Sequence, residues 1–139
     1  MNLKEIAQQF IEWTKRKIRH HTEEEKDVYF REKEVWWAAL GKNVGYEVDG
    51  KHELFERPVL IIKKYSKDMC FVLPFTTKIR KPIPWYQSIT KINENPSAVN
   101  ISQGRTISSN RLLRKEAVID NDDFSVIIEK FVKHFTERI

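Results

Sequence analysis

A single cysteine, Cys70, in 139 residues excludes an intramolecular disulfide. Its place in an apolar run predicts a buried core thiol in a reducing compartment. Only four glycines are present, which argues against glycine-rich repeats, and no internal repeat is found. The longest unbroken apolar run, Val35–Leu40, is far too short to cross a bilayer. Lys4, Glu5, Glu12, Lys15, Arg16 and Lys17 interrupt the stretch where the apolar region of a secretory signal would lie, so a cytoplasmic protein with no membrane partner is expected. Also missing are a CxxC pair, HExxH, a P-loop and GxGxxG. His20, His21, His52 and His134 lack zinc-site spacing with cysteine. No Ser or Cys sits in a recognisable nucleophile motif. Metal-assisted and nucleotide-driven chemistry therefore have no support, and no cofactor is expected.

What remains is a chain of single-domain length. It is 40% hydrophobic and 12% aromatic, a composition of folded rather than disordered proteins. The net charge of +5 is modest, but it is unevenly placed. Residues 57–81 carry seven Lys/Arg against one acid, Asp68, and residues 102–115 carry Arg105, Arg111, Arg114 and Lys115 with no acid. Segments 32–56 and 119–139 are net acidic. A fold that joined the two basic segments would present one polyanion-binding face. Solvated lysines without a partner fit the charge equally well.

Asn2 followed by Glu5 reads as a capping box, and Leu3, Ile6, Phe10, Trp13 and Lys17 follow helical spacing, with Ile11 and Ile18 widening the apolar stripe. A helix over about 2–19 is predicted, packed back on its own domain. Thr22 with Glu25 reads as a second capping box. From 33 onward short β-like runs appear: Glu34–Leu40, Pro58–Ile62, and Cys70–Phe75, in which Pro74 marks an edge or a bulge. Trp85–Ile92 and Ala98–Ser102 are weaker strands. A long polar loop with Gly41, Gly45 and Gly50 separates the first two strands, and compact domains keep such loops for function. Asp122 or Asp123 is expected to cap a final helix whose Phe124, Ile127, Ile128, Phe131, Val132 and Phe135 form one apolar face. Short strands closed by a C-terminal helix predict a small, strongly curved sheet or barrel.

The stretch Val35–Glu47 (VWWAALGKNVGYE) followed by Arg57–Ile62 (RPVLII) resembles the opening of the MazF/PemK toxins of type II toxin–antitoxin systems. Leu73–Lys78 (LPFTTK) resembles that family's second block, and Ser102–Ile107 (SQGRTI) with Arg111-Leu112 its third. The blocks come in the family's order, and the likeness divides the chain into a helical extension over 1–31 and a toxin domain over 32–139. The resemblance implies an α+β fold, an SH3-like β-barrel with a C-terminal helix to which this chain adds an N-terminal one, usually assembled as a homodimer. It implies metal-independent, sequence-selective cleavage of single-stranded RNA, restrained by a cognate antitoxin whose acidic tail would suit a basic groove.

RNA brings its own nucleophile, the 2′-hydroxyl, so such an enzyme needs proton-transfer groups and groups that stabilise charge on the phosphorane. By resemblance Arg57 and Thr76 are the catalytic pair. Arg57 is assigned to charge stabilisation because a guanidinium is a poor base, and Thr76 to hydrogen bonding the phosphate oxygens. Gln103 is expected to position the cleaved phosphate or a neighbouring base, and Glu47 to accept the 2′-hydroxyl proton. Lys78, Arg80, Arg105 and Thr77 are expected along the RNA backbone. Trp85, with Tyr86, is the candidate for stacking on an unpaired base, while Trp36 and Trp37 are assigned to core and dimer packing. The sequence departs from the family pattern in its leading helix, in the extra loop residues Lys51–Glu56, in Val48, and in Gly104, which is expected to loosen the strand around Gln103. Two other functions share the fold: a non-catalytic, CcdB-like inhibitor of DNA gyrase, and an inactive RNA-binding module.

Overall fold

A computed structural model describes residues 1–23, 28–78 and 87–137, the side chains of Gln87 and Ile89 excepted. Helix α1 (Leu3–Thr22) opens on the expected capping box, in which the Asn2 side chain accepts from the Glu5 backbone N–H and the Glu5 side chain reaches back. It runs further than the spacing predicted. Thr22 belongs to its last turn, with the hydroxyl donating to the Ile18 carbonyl, and so does not begin a new helix. Glu25 lies outside the described residues. Then follow β1 (Glu34–Ala39), β2 (Glu56–Ser66), β3 (Met69–Thr76), β4 (Gln87–Ile92), β5 (Asn95–Asn100), a 3-10 turn (Ile101–Gln103), β6 (Arg105–Ser108), a second 3-10 turn (Ser109–Arg111), β7 (Leu112–Val118) and helix α2 (Asn121–Thr136). Among the described residues no helix is long and apolar enough to cross a membrane.

The strands form one curled antiparallel sheet, a half-barrel that agrees with the expected small, strongly curved sheet or barrel, in the order β4-β5-β3-β2-β1-β7, with β6 also paired to β3. Val59–Ile62 explains how both faces are filled. Side chains alternate across a strand, so Val59 and Ile61 enter one core with Trp36, Cys70, Val72 and Ile107, while Leu60 and Ile62 enter the other with Leu73, Phe75, Phe124 and Ile127 of α2. Cys70 is fully buried, and burial pushes its thiol pKa up to about 11. Pro74 lies in a paired interior strand and not at an edge. On one side it faces Val59; on the other, the neighbour of β3 changes from β6, last paired at Val72, to β5, first paired at Phe75. The missing N–H falls in the gap between two partners, where it breaks no ladder. The cap of α2 is Asp120, whose carboxylate accepts from the Asp123 N–H; Asp122 and Asp123 instead occupy the first turn, where their charge suits the helix dipole.

The leading helix does pack on the domain, but not through its apolar stripe. Leu3, Phe10, Ile11 and Ile18 stay exposed, and Trp13 alone is buried, in a cluster with Ala39, Phe55 and Leu113. Its indole covers Gly41, where a Cβ would lie 2.1 Å from Trp13 Cε2 and where φ is +87°. Glycine is required there for both reasons. Gly104 likewise permits a close approach: a Cβ would lie 2.5 Å from the Phe71 ring, which fills the space a branched residue would take. The segment near Gln103 is therefore packed rather than loosened.

Glu34 ties the start of β1 to β7. Its carboxylate accepts from the Arg31 N–H at 2.8 Å and Trp36 Nε1 at 3.0 Å, and pairs with Lys115 Nζ at 2.9 Å. Burial alone would raise its pKa, but the three donors outweigh burial and hold it below the ordinary carboxylate value. A carboxylate whose pKa is depressed by folding contributes stability that is complete above its unfolded value and lost as pH falls through the folded one. Glu34→Gln is expected to cost about 1–3 kcal/mol at neutral pH, because charge-assisted bonds are lost. It is also expected to flatten the decline in stability below about pH 4. Urea unfolding of both proteins at neutral and acidic pH checks this; equal acid sensitivity would contradict it.

Candidate active site

The β2–β3 pairing positions the first pair of candidate residues. The register that sets Val59 opposite Pro74 carries Arg57, near the start of β2, to the level of Thr76, the last residue of β3. Both line a cavity of about 150 Å³, together with Trp37, His52, Glu56 and Thr77. The Arg57 side chain is half-buried and held at two points: Nε donates to the Asp49 carbonyl at 2.8 Å and Nη1 to the Phe75 carbonyl at 3.0 Å. Burial lowers its pKa, and the Asp49 carboxylate opposes that effect. It remains a cation at neutral pH. The adjoining Glu56 does not neutralise it, because that carboxylate is bound bidentately by Arg114 at 2.8 and 3.0 Å. Thr76 Oγ1 accepts from the Lys78 backbone N–H at 3.1 Å, which leaves the hydroxyl hydrogen for another acceptor.

Gln103, Glu47 and Arg105 meet elsewhere, in a neighbouring cleft of about 300 Å³ lined also by Leu40, Asn43 and Pro74. Gln103 Oε1 accepts from the Val48 N–H and its Nε2 donates to the Tyr46 carbonyl, both at 3.2 Å. Its amide thus fastens the loop between β1 and β2 to the 3-10 turn. Glu47 closes a turn within that loop, its Oε1 accepting from the Val44 N–H at 3.0 Å. It does not line the cavity of Arg57 and Thr76. Different parts of the loop border the two clefts, Asn43, Glu47 and Val48 the second and Lys51 and His52 the first, and Asp49 braces the loop through Lys42 Nζ at 3.1 Å and the Asn43 N–H at 2.5 Å. Thr77 lies in the first cavity and Lys78 is exposed just beyond it. Arg80, Trp85 and Tyr86 lie outside the described residues. Trp36 is core, whereas Trp37 is half-buried at the first cavity, its ring 4.7 Å from the Arg114 guanidinium.

One member of the first cavity had no signal in zinc-site spacing. His52 stands in the extra loop residues, and its imidazole is a group able to accept or give a proton at the cavity it lines. Among the described residues no group of three or more His, Cys, Asp or Glu side chains is placed to hold a metal ion.

A curled antiparallel sheet closed by a C-terminal helix, with a long loop between its first two strands, defines a MazF-like fold. The model of the PemK-like, MazF-like toxins of type II toxin–antitoxin systems matches residues 31–135, and the chain belongs to that family. Helix α1 lies outside the match. In structure the chain is similar to MazF of Deinococcus radiodurans (TM-score 0.65, 16% identity, covering 80% of this chain and 100% of that one). It is also similar to an endoribonuclease in complex with its cognate antitoxin from a Mycobacterial species (0.56, 13%, 78% and 96%). A third similar structure is the Mycobacterium tuberculosis toxin MazF-mt6 (0.51, 21%, 60% and 90%). No curated protein matches it significantly in sequence.

Proposed function

We propose that this toxin is a metal-independent, sequence-selective endoribonuclease that cuts single-stranded RNA through the 2′-hydroxyl. The observation that carries the reading is the single cavity holding the doubly anchored Arg57 cation beside the Thr76 hydroxyl. The 2′-oxygen attacks the adjacent phosphorus and the bond from phosphorus to the 5′-oxygen breaks. The products are a 2′,3′-cyclic phosphate and a 5′-hydroxyl. His52 takes the 2′-hydroxyl proton, replacing Glu47, which lines the other cleft. The departing 5′-oxygen takes a proton from water, and the hydroxide left takes the proton from His52, restoring the water and the neutral imidazole. Arg57 stabilises the charge that develops on the phosphorane, and a fixed cation costs no reorganisation as that charge forms. Thr76 donates its free hydrogen to a phosphate oxygen.

Arg105 and Lys78 hold flanking phosphates, with Thr77 at the cavity edge, and Arg80 and Trp85 are assigned to the same strand of RNA. Gln103 acts through the loop it fastens. An antitoxin with an acidic tail would occupy the same basic surface, and a cytoplasmic homodimer is the assembly this reading implies.

The test is to incubate the purified protein with a long single-stranded RNA in excess EDTA and map the ends. Discrete cuts with 5′-hydroxyl ends are expected. Cleavage only with added Mg²⁺ would overturn the mechanism. Inhibition of DNA gyrase without any RNA cleavage would replace it with the CcdB-like reading.

A further inference from the structure

Between the last turns of α1 and the 3-10 turn Ser109–Arg111 lies a cleft of about 450 Å³ that the cleavage chemistry leaves unused. Its apolar wall is Trp13 and Ile18; its polar rim includes Lys17, His21, Asn110 and Arg111, and among the described residues no carboxylate lines it. Arg111 is half-buried. Its Nη1 donates to the Ala39 carbonyl at 2.9 Å, and its Cζ lies 5.6 Å from the Trp13 ring centroid. These are its hydrogen-bonding and ring partners among the described residues. Burial and the positive charge of Arg105 bring its pKa down to about 10. A cation kept partly out of water, with the positive charge of Arg105 acting on it and no acid in the cleft among the described residues, gains from an anion.

The cleft neighbours the Gln103 cleft without sharing a lining residue: Arg105 stands in that cleft, Ser108 and Arg111 in this one, and the Arg105 charge acts on Arg111. On the other side, Leu40 borders the Gln103 cleft while neighbouring Ala39 holds Arg111.

We infer that this cleft is an accessory nucleotide subsite, built by the leading helix, that takes one unpaired nucleotide of the RNA beyond the cleavage site. The base lies against Ile18 and the edge of Trp13, and the phosphate is held by Lys17, Arg111 and His21. The carbon wall favours a nucleotide over an acidic peptide, which would use the cations alone. The inference rests on the endoribonuclease reading.

The test compares two RNAs that share the cleavage sequence, one just long enough to be cut and one of about 20 nucleotides. In Lys17→Glu/His21→Gln, KM for the long RNA is expected to rise roughly tenfold, and the salt slope of log KM to fall by about 0.7 per lost phosphate contact. The short RNA is expected to keep its kcat and KM. Ile18→Ser is expected to raise KM for the long RNA several-fold with the salt slope unchanged, which a purely electrostatic patch would not do. Equal losses on both RNAs, or none on either, would overturn the subsite. So would weakened binding of a poly-glutamate peptide with RNA unaffected. If the unaltered protein cuts neither RNA, the cleavage reading fails by itself. Fluorescence anisotropy of the two labelled RNAs, read with the same variants, then decides the subsite.

Discussion

Arg57→Ala is expected to lower kcat/KM for RNA cleavage by roughly 10²–10³-fold, with most of the loss in kcat. The size follows from what the side chain stabilises. A bound phosphodiester carries one negative charge and the phosphorane carries more, so a cation held in place gains as the reaction proceeds. The two carbonyl anchors, Asp49 and Phe75, fix the guanidinium before substrate arrives. Lysine keeps the charge but has no planar fork to span both carbonyls, so Arg57→Lys is expected to remain well below the unaltered protein. Thr76→Ala removes a single neutral donor and is expected to cost roughly tenfold. Single-turnover kinetics separate these effects from binding. A variant without Arg57 that kept kcat and raised only KM would make the residue an RNA-holding group and not a catalytic one.

Trp13→Ala is expected to destabilise the protein by about 3–5 kcal/mol, the range for deleting a buried tryptophan. Trp13 is 5% exposed and is the buried residue by which α1 docks. It meets Phe55 with ring centroids 5.7 Å apart, lies over Gly41, and receives the Arg111 guanidinium on its ring. Gly41 and Phe55 are the two ends of the loop that holds Asp49 and Glu47. Loss of the indole is therefore expected to loosen the loop as well, lowering kcat/KM at temperatures where the domain stays folded. Urea unfolding and RNA cleavage at a fixed low temperature measure the two effects separately. An unchanged midpoint would mean that the docking of α1 contributes nothing to the fold.

Elements with strong periodicity were legible in the sequence. The capping box of α1, the apolar face of α2 and the continuous run Val59–Ile62 each declare their structure locally, and the structure has all three. The strands β6 and β7 were not legible. Arg105–Ser108 is only four residues with one buried side chain, and Leu112–Val118 carries Arg114, Lys115 and Glu116 in succession, as an edge strand tolerates. Both owe their conformation to pairing with strands more than 30 residues away in sequence. The direction of α1 packing was hidden for a related reason. Its apolar stripe follows helical spacing, yet the contact depends on one indole meeting a glycine, and only the tertiary structure makes that pair visible.

Of the candidate site, Arg57, Thr76 and Gln103 could be placed only from the blocks that resemble the family, since no local periodicity marks them. Which cleft each enters could not. Glu47 and His52 belong to the same loop, and the loop's fold sends one to the Gln103 side and the other to the Arg57 side. Arg111 reads in the sequence as part of a basic segment and, with Leu112, of the third block; its half-buried position beneath Trp13 of α1 had no sequence signal.

The loop between β1 and β2 is clamped at its feet. Gly41 N–H donates to the Phe55 carbonyl at 3.1 Å, Gly50 N–H to the Gly41 carbonyl at 2.8 Å, and Lys51 and Glu56 exchange both backbone bonds. An arch fixed at its springing points can be recut at the crown without moving the walls. On the endoribonuclease reading, exchanges at the exposed positions 44–47 are therefore expected to alter which bases are admitted while Arg57 and Thr76 keep their places.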